Sequence, residues 1–136
     1  MHEWALAEAV VHAIRGEMNR CGLKQVTGVR LKIGDLQMID MEVFLAALEE
    51  AGRIYGVLLK REDVKIERED CLFRCRLCGQ SFSLFDSQGV GSNEVEYIHF
   101  LPEVAHVFVR CPFCHGRDFE FEKGRGIFLE SIEGET

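Results

Sequence analysis

Two stretches of the chain, residues 3–21 and 40–55, carry apolar residues at the spacing of an amphipathic helix. In each stretch, apolar side chains return every three or four positions while charged side chains occupy the other faces, so one face of each helix is expected to be buried. Gly22 and Gly56 follow the last apolar turns and predict where the helices end. Asp40 begins the second stretch and is a candidate N-cap.

Other stretches alternate apolar and polar residues, which is the period of a half-buried strand. This alternation occurs at residues 26–33, at 64–69 and again in the last part of the chain, from Phe119 to Ile132. The order is helix, strand, helix, strand, and the final strand is expected to return to the same sheet. This order predicts an α+β fold in which two helices pack on a small three-stranded sheet.

Four of the six cysteines form two C-x-x-C pairs, Cys75 with Cys78 and Cys111 with Cys114. One metal ion can take two thiolates from each pair in a closed tetrahedral S4 site, which has no open position for a substrate. Its expected role is structural, because ion binding replaces the apolar core that a short segment cannot build. Zinc is the expected ion. The alternatives are iron, in a rubredoxin-like electron carrier, and two redox-active dithiols.

The change of composition at Cys71 and the metal site together predict two domains. The first, residues 1–70 plus 118–136, is the α+β domain, and the second, residues 71–117, is an inserted zinc ribbon of the rubredoxin-like type. Its predicted parts are short aromatic strands at 72–74, 82–85 and 107–109 and a polar loop at 86–103, which is too long for a turn.

Composition and charge argue against several classes of function. The 136 residues carry a net charge of −7, which disfavours a phosphate-backbone binder, although a zinc-ribbon nucleic-acid module is kept as an alternative. No apolar run approaches the roughly 20 residues of a membrane span, and the first ten residues lack the basic start of a signal peptide. Cysteines spaced for metal rather than disulfides indicate a reducing cytoplasm. We find no nucleophile–base pair or phosphate loop, so we expect a binding protein rather than an enzyme.

The chain begins Met1-His2-Glu3-Trp4, and a histidine in the second position can chelate a metal together with the chain terminus. The α-amine of Met1, the backbone nitrogen and imidazole of His2, and the backbone nitrogen of Glu3 can supply four nitrogens in one plane. Planar nitrogen donors favour Ni(II) or Cu(II) over Zn(II). The alternative is a frayed terminus that carries an ordinary surface histidine.

Taken together, these features resemble the HypA/HybF family of nickel metallochaperones for NiFe-hydrogenase maturation. The resemblance rests on Met1-His2-Glu3, the order of helices and strands, the two C-x-x-C pairs and the Gly-rich final strand, and it covers essentially the whole chain. It implies Ni(II) as the transported ion and Zn(II) as the structural ion. It also implies two partners, a HypB-type GTPase and the hydrogenase large subunit. We expect no nucleic-acid or membrane partner, and a homodimer is left open.

Carried over residue by residue, the resemblance makes His2 the essential nickel ligand and the four paired cysteines the zinc ligands. Glu3 and the Met1 amine support His2 in binding nickel. Residues 97–103 are similar to the archaeal members of the family, in which a histidine of this stretch can approach the nickel. His99 is that position here, so the resemblance adds it to the nickel ligands.

Other residues are expected near the two metals without binding them. His115 directly follows Cys114, but four cysteines already complete the zinc site. Asp40 is a candidate neighbour of the nickel site as well as a helix cap. The negative charge of an S4 centre is expected to be offset by the arginines that flank its thiolates, Arg74, Arg76 and Arg110.

Overall fold

A computed structural model describes residues 2–86 and 90–136 of the chain. The helices of these residues are α1 (His2–Cys21), α2 (Met41–Ile54), α3 (Ser92–Phe100) and α4 (Ala105–Phe108). The strands are β1 (Gln25–Gly34), β2 (Val64–Glu69), β3 (Leu72–Cys75), β4 (Ser81–Ser83), β5 (Phe119–Lys123) and β6 (Ile127–Glu135). Within residues 2–86 and 90–136, no helix combines the length and the apolar character needed to cross a membrane.

The chain divides into two compact units. The first comprises Met1–Lys32, Ile39–Glu67 and Ile127–Thr136, and the second comprises Ile33–Met38 and Arg68–Gly126. The two domains predicted from the sequence, residues 1–70 plus 118–136 and residues 71–117, stay a prediction.

In the first unit, α1 and α2 pack against each other through the apolar faces that the sequence pattern predicts. Ala7, Val11 and Ile14 of α1 are fully buried, as are Phe44 and Ala47 of α2. Burying each of the larger side chains stabilises the fold by roughly 1.5–3 kcal/mol. The apolar stripe at helical spacing is therefore what holds the two helices together.

The ends of both helices follow local sequence signals. The Asp40 carboxylate accepts a hydrogen bond from the Val43 N–H at 3.2 Å, so Asp40 is the N-cap of α2, as predicted. Gly22 after α1 and Gly56 after α2 have φ angles of 71° and 79°. Glycine adopts this left-handed conformation without the penalty of a side chain, and it ends both helices.

The three strands of the first sheet lie in the order β2–β1–β6. The Lys24 N–H donates to the Glu135 carbonyl at 2.8 Å, which places the start of β1 beside the end of β6 and makes this pair antiparallel. Val29, Leu31 and Ile33 of β1 are buried at the two-residue period of a strand. The prediction that the final strand returns to the first sheet is thus confirmed for β6. It is wrong for Phe119–Lys123, the start of the same predicted stretch, because these residues form β5 and pair with β3 in the second sheet.

The second unit contains a three-stranded sheet in the order β4–β3–β5, in which both neighbouring pairs are antiparallel. Phe73 in the central strand lies opposite Phe82 on one side and Phe121 on the other. The rings of Phe73, Phe82 and Phe119 contact one another with centroids 4.8–5.7 Å apart. Such aromatic contacts contribute beyond the area that they bury, and they form the centre of this unit's core.

Two predictions for the segment between the cysteine pairs are wrong. Residues 92–100 form α3 inside the predicted polar loop, and residues 105–108 form α4 where the strand 107–109 was predicted. Both helices are short, and an isolated helix of this length is unstable in water. They form because Ile98 and Ala105 are fully buried in the core of the second unit, a tertiary contact that local periodicity does not reveal.

Candidate metal centres

The four paired cysteines come together in the second unit. Their Sγ atoms all lie within 4.8 Å of one another, and the Cys75–Cys114 and Cys78–Cys111 sulfurs are 3.5 and 3.6 Å apart. A tetrahedral ion with metal–sulfur bonds of about 2.3 Å needs sulfurs about 3.8 Å apart, so the cluster fits one ion with four thiolates. Among residues 2–86 and 90–136, these cysteines are the one group of three or more His, Cys, Asp or Glu side chains so arranged.

The same main-chain hydrogen bonds hold both cysteine pairs. In each pair, the N–H of the first cysteine donates to the carbonyl five residues later, and the N–H four residues later donates back to the carbonyl of that cysteine. The bonds are Cys75 to Gln80 and Gly79 to Cys75, both 2.9 Å, and Cys111 to Gly116 at 2.9 Å and His115 to Cys111 at 2.8 Å. Two loops of identical bonding therefore present their thiols to one point.

This loop requires a left-handed residue directly after the second cysteine. Gly79 fills that position in the first loop with a φ angle of 77°, and His115 fills it in the second with a φ angle of 62°. Glycine adopts the conformation freely, whereas for other residues it costs roughly 1–2 kcal/mol. His115 is exposed and is not one of the four clustered ligands.

Main-chain N–H groups also point at the sulfurs and change their acidity. The N–H of Cys78, together with that of Leu77, lowers the pKa of the Cys75 thiol to about 7 against the opposing effect of burial. For Cys114, the Gly116 N–H lowers the pKa, but the Cys75 thiol, burial and the other thiols raise it to about 12. The four sulfurs therefore do not all lose their protons unaided at neutral pH, and metal binding must release protons.

Arg74 and Arg76, which were expected to offset the charge of the thiolates, contact carboxylates instead. Arg76 donates to Asp118 and Glu120, both at 3.2 Å, and Arg74 donates to Glu122 at 3.3 Å. These ion pairs are exposed, so each contributes little to stability. They connect β3 and the first cysteine loop to β5 and to Asp118, which directly precedes β5.

The second candidate centre lies at the start of α1 in the first unit. The His2 Nδ1 is 3.7 Å from Glu3 Oε2, and the Asp40 N–H donates to Glu3 Oε1 at 3.4 Å. Glu3 is only 8% exposed. The main-chain N–H of Glu3, with a smaller effect from that of Asp40, lowers the pKa of the Glu3 carboxyl although burial opposes it. A carboxylate thus stays ionised beside the histidine.

The main-chain nitrogens of His2 and Glu3 belong to the first turn of α1, whose N–H groups are not part of the hydrogen bonds between successive helical turns. A metal that binds these nitrogens would therefore leave those helical bonds in place. Met1, whose amine completes the predicted set of nickel ligands, lies outside the described residues. Asp40, the predicted neighbour of this site, contacts Glu3 through its main chain while its side chain caps α2.

His99, the further nickel ligand that the resemblance implies, lies on α3 in the second unit. Its Nδ1–H donates to the Leu36 carbonyl at 2.6 Å, so a neutral ring carries its lone pair on Nε2, the nitrogen through which it would bind a metal. Nickel binding by His99 stays a prediction. His106 has a structural role instead, because its ring stacks on Phe119 with centroids 4.5 Å apart and its Nδ1–H donates to the Arg117 carbonyl at 3.0 Å.

Two features of these centres were missed from the sequence, although a signal existed for each. Glu3 stands one helical turn before Ala7, on the face that continues with Val10 and Ile14, so its spacing alone places a carboxylate on the buried face of α1. The left-handed conformation of His115 follows from its position, which is equivalent to that of Gly79 in the other cysteine loop.

The sequence matches one family model and closely related proteins. Residues 1–134 match the family HypA, described as "Hydrogenase/urease nickel incorporation, metallochaperone, hypA". The hydrogenase maturation factor HypA of Thermococcus gammatolerans is 36% identical over 141 residues, which cover 100% of both chains. The hydrogenase maturation factor HypA of Pyrococcus furiosus is 36% identical over 133 residues, covering 97% of this chain and 94% of that protein.

The fold also matches solved structures. The solution structure of the Ni metallochaperone HypA from Helicobacter pylori superposes with a TM-score of 0.62 over 98% of this chain and 97% of that chain. A second solution structure of a HypA protein gives a TM-score of 0.56. The sequence identities are 16% and 18%, so these matches show a shared fold and nothing further.

Proposed function

The chain belongs to the HypA family of nickel-incorporation metallochaperones of hydrogenase maturation, and from this premise we propose that it carries Ni(II) on its first three residues. The observation that carries the proposal is the start of α1, where His2 lies beside a buried, ionised Glu3 carboxylate. The donors are the Met1 amine, the main-chain nitrogen and imidazole of His2, and the main-chain nitrogen of Glu3. Four nitrogens in a plane suit Ni(II) better than Zn(II).

The Glu3 carboxylate has a separate part in this site. Its negative charge attracts a divalent cation to the start of α1, and its bond with the Asp40 N–H fixes the first turn of α1 beside the start of α2. The His2 side chain, by contrast, is 38% exposed. An exposed ligand next to a fixed carboxylate suits a carrier, because a partner can reach the metal and remove it.

We infer that the four-cysteine centre holds Zn(II) as a resident structural ion. Four thiolates at tetrahedral spacing match the closed sites in which zinc has no open position. Its binding free energy would add to the stability of the small sheet β4–β3–β5, because the ligands gather at one point only in the folded chain. Such an ion stays with the protein while nickel is exchanged.

A HypB-type GTPase is the proposed partner that drives nickel transfer, and the hydrogenase large subunit is the proposed receiver, in a reducing cytoplasm. Family membership supports these partners, since the relatives in Thermococcus and Pyrococcus are named hydrogenase maturation factors. Two further proposals are nickel binding by His99, which the family resemblance implies, and formation of a homodimer.

The proposed nickel site is tested by metal analysis of protein with a native N-terminus after exposure to nickel. Wild type should hold one zinc and one nickel per chain. His2→Ala should keep zinc and weaken nickel binding more than about 100-fold, because losing a ligand exceeds the 10–100-fold effect of losing an outer contact. Acetylation of the α-amine should have a comparable effect. Trp4, the one tryptophan of the sequence, reports binding through its fluorescence.

The matched control is His12→Ala, which removes an exposed histidine from the same helix. This variant should bind zinc and nickel as wild type does. Wild-type nickel affinity in His2→Ala or in the acetylated protein would refute chelation by the first residues. Iron in place of zinc in protein purified without added metal would refute the structural zinc.

A further inference from the structure

The outer faces of α3 and α4 form an apolar surface that neither metal centre uses. Six side chains line a cavity of about 320 Å³ between the two helices. We call this surface the α3–α4 groove, and its residues are Tyr97, Phe100, Leu101, Val104, Val107 and Phe108. The rings of Tyr97 and Phe108 stack with centroids 6.0 Å apart and form one wall. A contiguous apolar surface of this kind marks an interaction site, in contrast to scattered exposed residues.

Two of the lining side chains, Val104 and Phe108, also pack against the core of the second unit, whereas the other four are exposed. α3 and α4 already bury their other faces, since Ile98 of α3 and Ala105 of α4 are fully buried in the core. Phe100 and Val107 point outward and are 67% and 61% exposed. Apolar side chains thus occur on the outer side of these helices as well as on the side that packs on the core, and an apolar outer side is typical of a helix that is covered there too. The groove therefore has the character of a surface that a partner covers.

The charge around the groove indicates which partner fits. Residues 77–109 contain no Lys or Arg, and their acidic residues are Asp86, Glu94, Glu96 and Glu103. Glu96 and Glu103 are exposed and directly precede the lining residues Tyr97 and Val104 in the chain. A second copy of this chain would bring the same negative charges against them, and so would an anionic membrane surface. A basic partner is attracted instead.

We propose that the α3–α4 groove binds an amphipathic helix of a partner protein that has large apolar residues on one face and Lys or Arg beside them. In this mode of recognition, side chains one turn apart on the guest helix fill an apolar groove. The apolar lining takes the apolar face, and Glu96 and Glu103 pair with the basic residues at its edge. The groove thus selects its guest by shape and by charge, independently of nickel.

The test uses two synthetic amphipathic helical peptides of about 18 residues, long enough for five turns, with the full-length zinc-loaded protein. Both peptides carry the same leucine face, with lysines beside it in one and glutamates in the other. The lysine peptide should bind at least 10-fold more tightly, and its binding should weaken as salt is added. Phe100→Ala and Val107→Asp should each weaken its binding at least 10-fold. The double variant Glu96→Gln/Glu103→Gln should weaken it several-fold and reduce the salt dependence.

Two matched variants remove exposed apolar side chains outside the groove. Leu58 is 76% exposed and Phe128 is 54% exposed, and replacing either with Ala should leave peptide affinity unchanged. Zinc content and thermal unfolding show whether each groove variant is folded. Equal binding of the two peptides, or an equal loss of affinity in Leu58→Ala, would overturn the proposal.

Other occupants of the groove give different results. A wild-type dimer that Val107→Asp converts to a monomer would assign the groove to a second copy and overturn the proposal. Binding to anionic phosphatidylglycerol vesicles that Val107→Asp abolishes would assign it to a membrane, with the same consequence. Nickel binding should be unchanged in Val107→Asp and in Glu96→Gln/Glu103→Gln. A failure of the groove proposal can therefore be told apart from a failure of the nickel site.

Discussion

Gly79 and His115 occupy equivalent positions in the two cysteine loops and share the left-handed conformation. A Cβ added at Gly79 would meet no atom within 4 Å. A residue other than glycine would therefore cost backbone strain at this position but would cause no steric clash. We expect His115→Gly to tighten zinc binding about fivefold, which is about 1 kcal/mol, and Gly79→Ala to weaken it by a similar factor. Competition with a chelator of known affinity measures both changes.

The control for this pair is Gly56→Ala, which introduces the same left-handed strain in the first unit, where a Cβ would also meet nothing within 4 Å. It should lower the thermal stability of the protein without changing its zinc affinity. If His115→Gly weakened zinc binding instead, the imidazole itself would contribute to zinc binding, and backbone strain in the loop would not determine the zinc affinity.

Asp40 provides a second test at the scale of one side chain. Its carboxylate caps α2, whereas its main-chain N–H contacts Glu3, so the two contacts can be separated by mutation. Asp40→Ala should destabilise the protein by about 1 kcal/mol through loss of the cap, and Asp40→Asn should change stability little because asparagine also caps helices. Thermal unfolding measures the difference. An equal loss in both variants would show that the negative charge, not the cap, is what stabilises the start of α2.

Among the elements, those with a long uninterrupted pattern were predictable from the sequence. α1 and α2 repeat the helical period over several turns, and β1 alternates along most of its length, so local pattern and tertiary packing agree. α3 and α4 are short, and their apolar residues occur on both faces, which hides the helical period. Such a segment takes its conformation from the core on which it packs, and that core is not visible in its own sequence.

The pattern of apolar and polar residues also did not reveal that the backbone at the end of β1 lies directly against the backbone of residues 124–126. The Gly34 N–H donates to the Gly126 carbonyl at 2.8 Å, and the Leu36 N–H donates to the Gly124 carbonyl at 3.1 Å. A Cβ on Gly34 would lie 2.2 Å from the carbonyl carbon and oxygen of Gly124. Backbone atoms cannot move aside as a flexible side chain can, so the sheet must distort to accept any larger residue.

We therefore expect Gly34→Ala to destabilise the protein by about 1–3 kcal/mol, the typical cost of an overpacked site. Gly16→Ala is the matched control, because Gly16 lies in the middle of α1 with no atom within 4 Å of an added Cβ. It should stabilise the protein by about 0.5–1 kcal/mol through helix propensity. Urea unfolding of zinc-loaded protein measures both. A neutral Gly34→Ala would mean that the two segments are not held in contact.

At the scale of the whole chain, the proposed nickel site and the cysteine cluster differ in the groups that must lose protons. In the proposed nickel site these are the terminal amine, the imidazole and two main-chain amides. In the cysteine cluster they are four thiols, whose pKa values main-chain N–H groups and neighbouring sulfurs shift in opposite directions. Spacing in the sequence predicted the four cysteines as one set of ligands, whereas the nickel ligands were predicted from the family resemblance together with the histidine in position two. Proton affinities depend on neighbours that only the folded chain brings together.

Acid should therefore release nickel before zinc. The α-amine has a reference pKa of about 7.7–8.0, and as the pH falls below this range the amine is protonated and nickel loses a ligand. In the metal-free chain the Cys75 thiol has a pKa of about 7. Below that pH protons compete with zinc for this sulfur, so zinc affinity declines in the same direction. A structural zinc starts from a binding free energy of about 10–16 kcal/mol, so its site stays filled to a lower pH.

The measurement is a pH titration of protein loaded with both metals, with released nickel and released zinc determined separately. The half-release pH of nickel should exceed that of zinc by at least about one unit, and acetylating the α-amine should abolish the nickel transition while leaving that of zinc in place. Simultaneous release would show that the two metals depend on one acid-labile structure. In that case a carrier could not deliver nickel and keep its fold, and the division between a transported ion and a resident ion would be wrong.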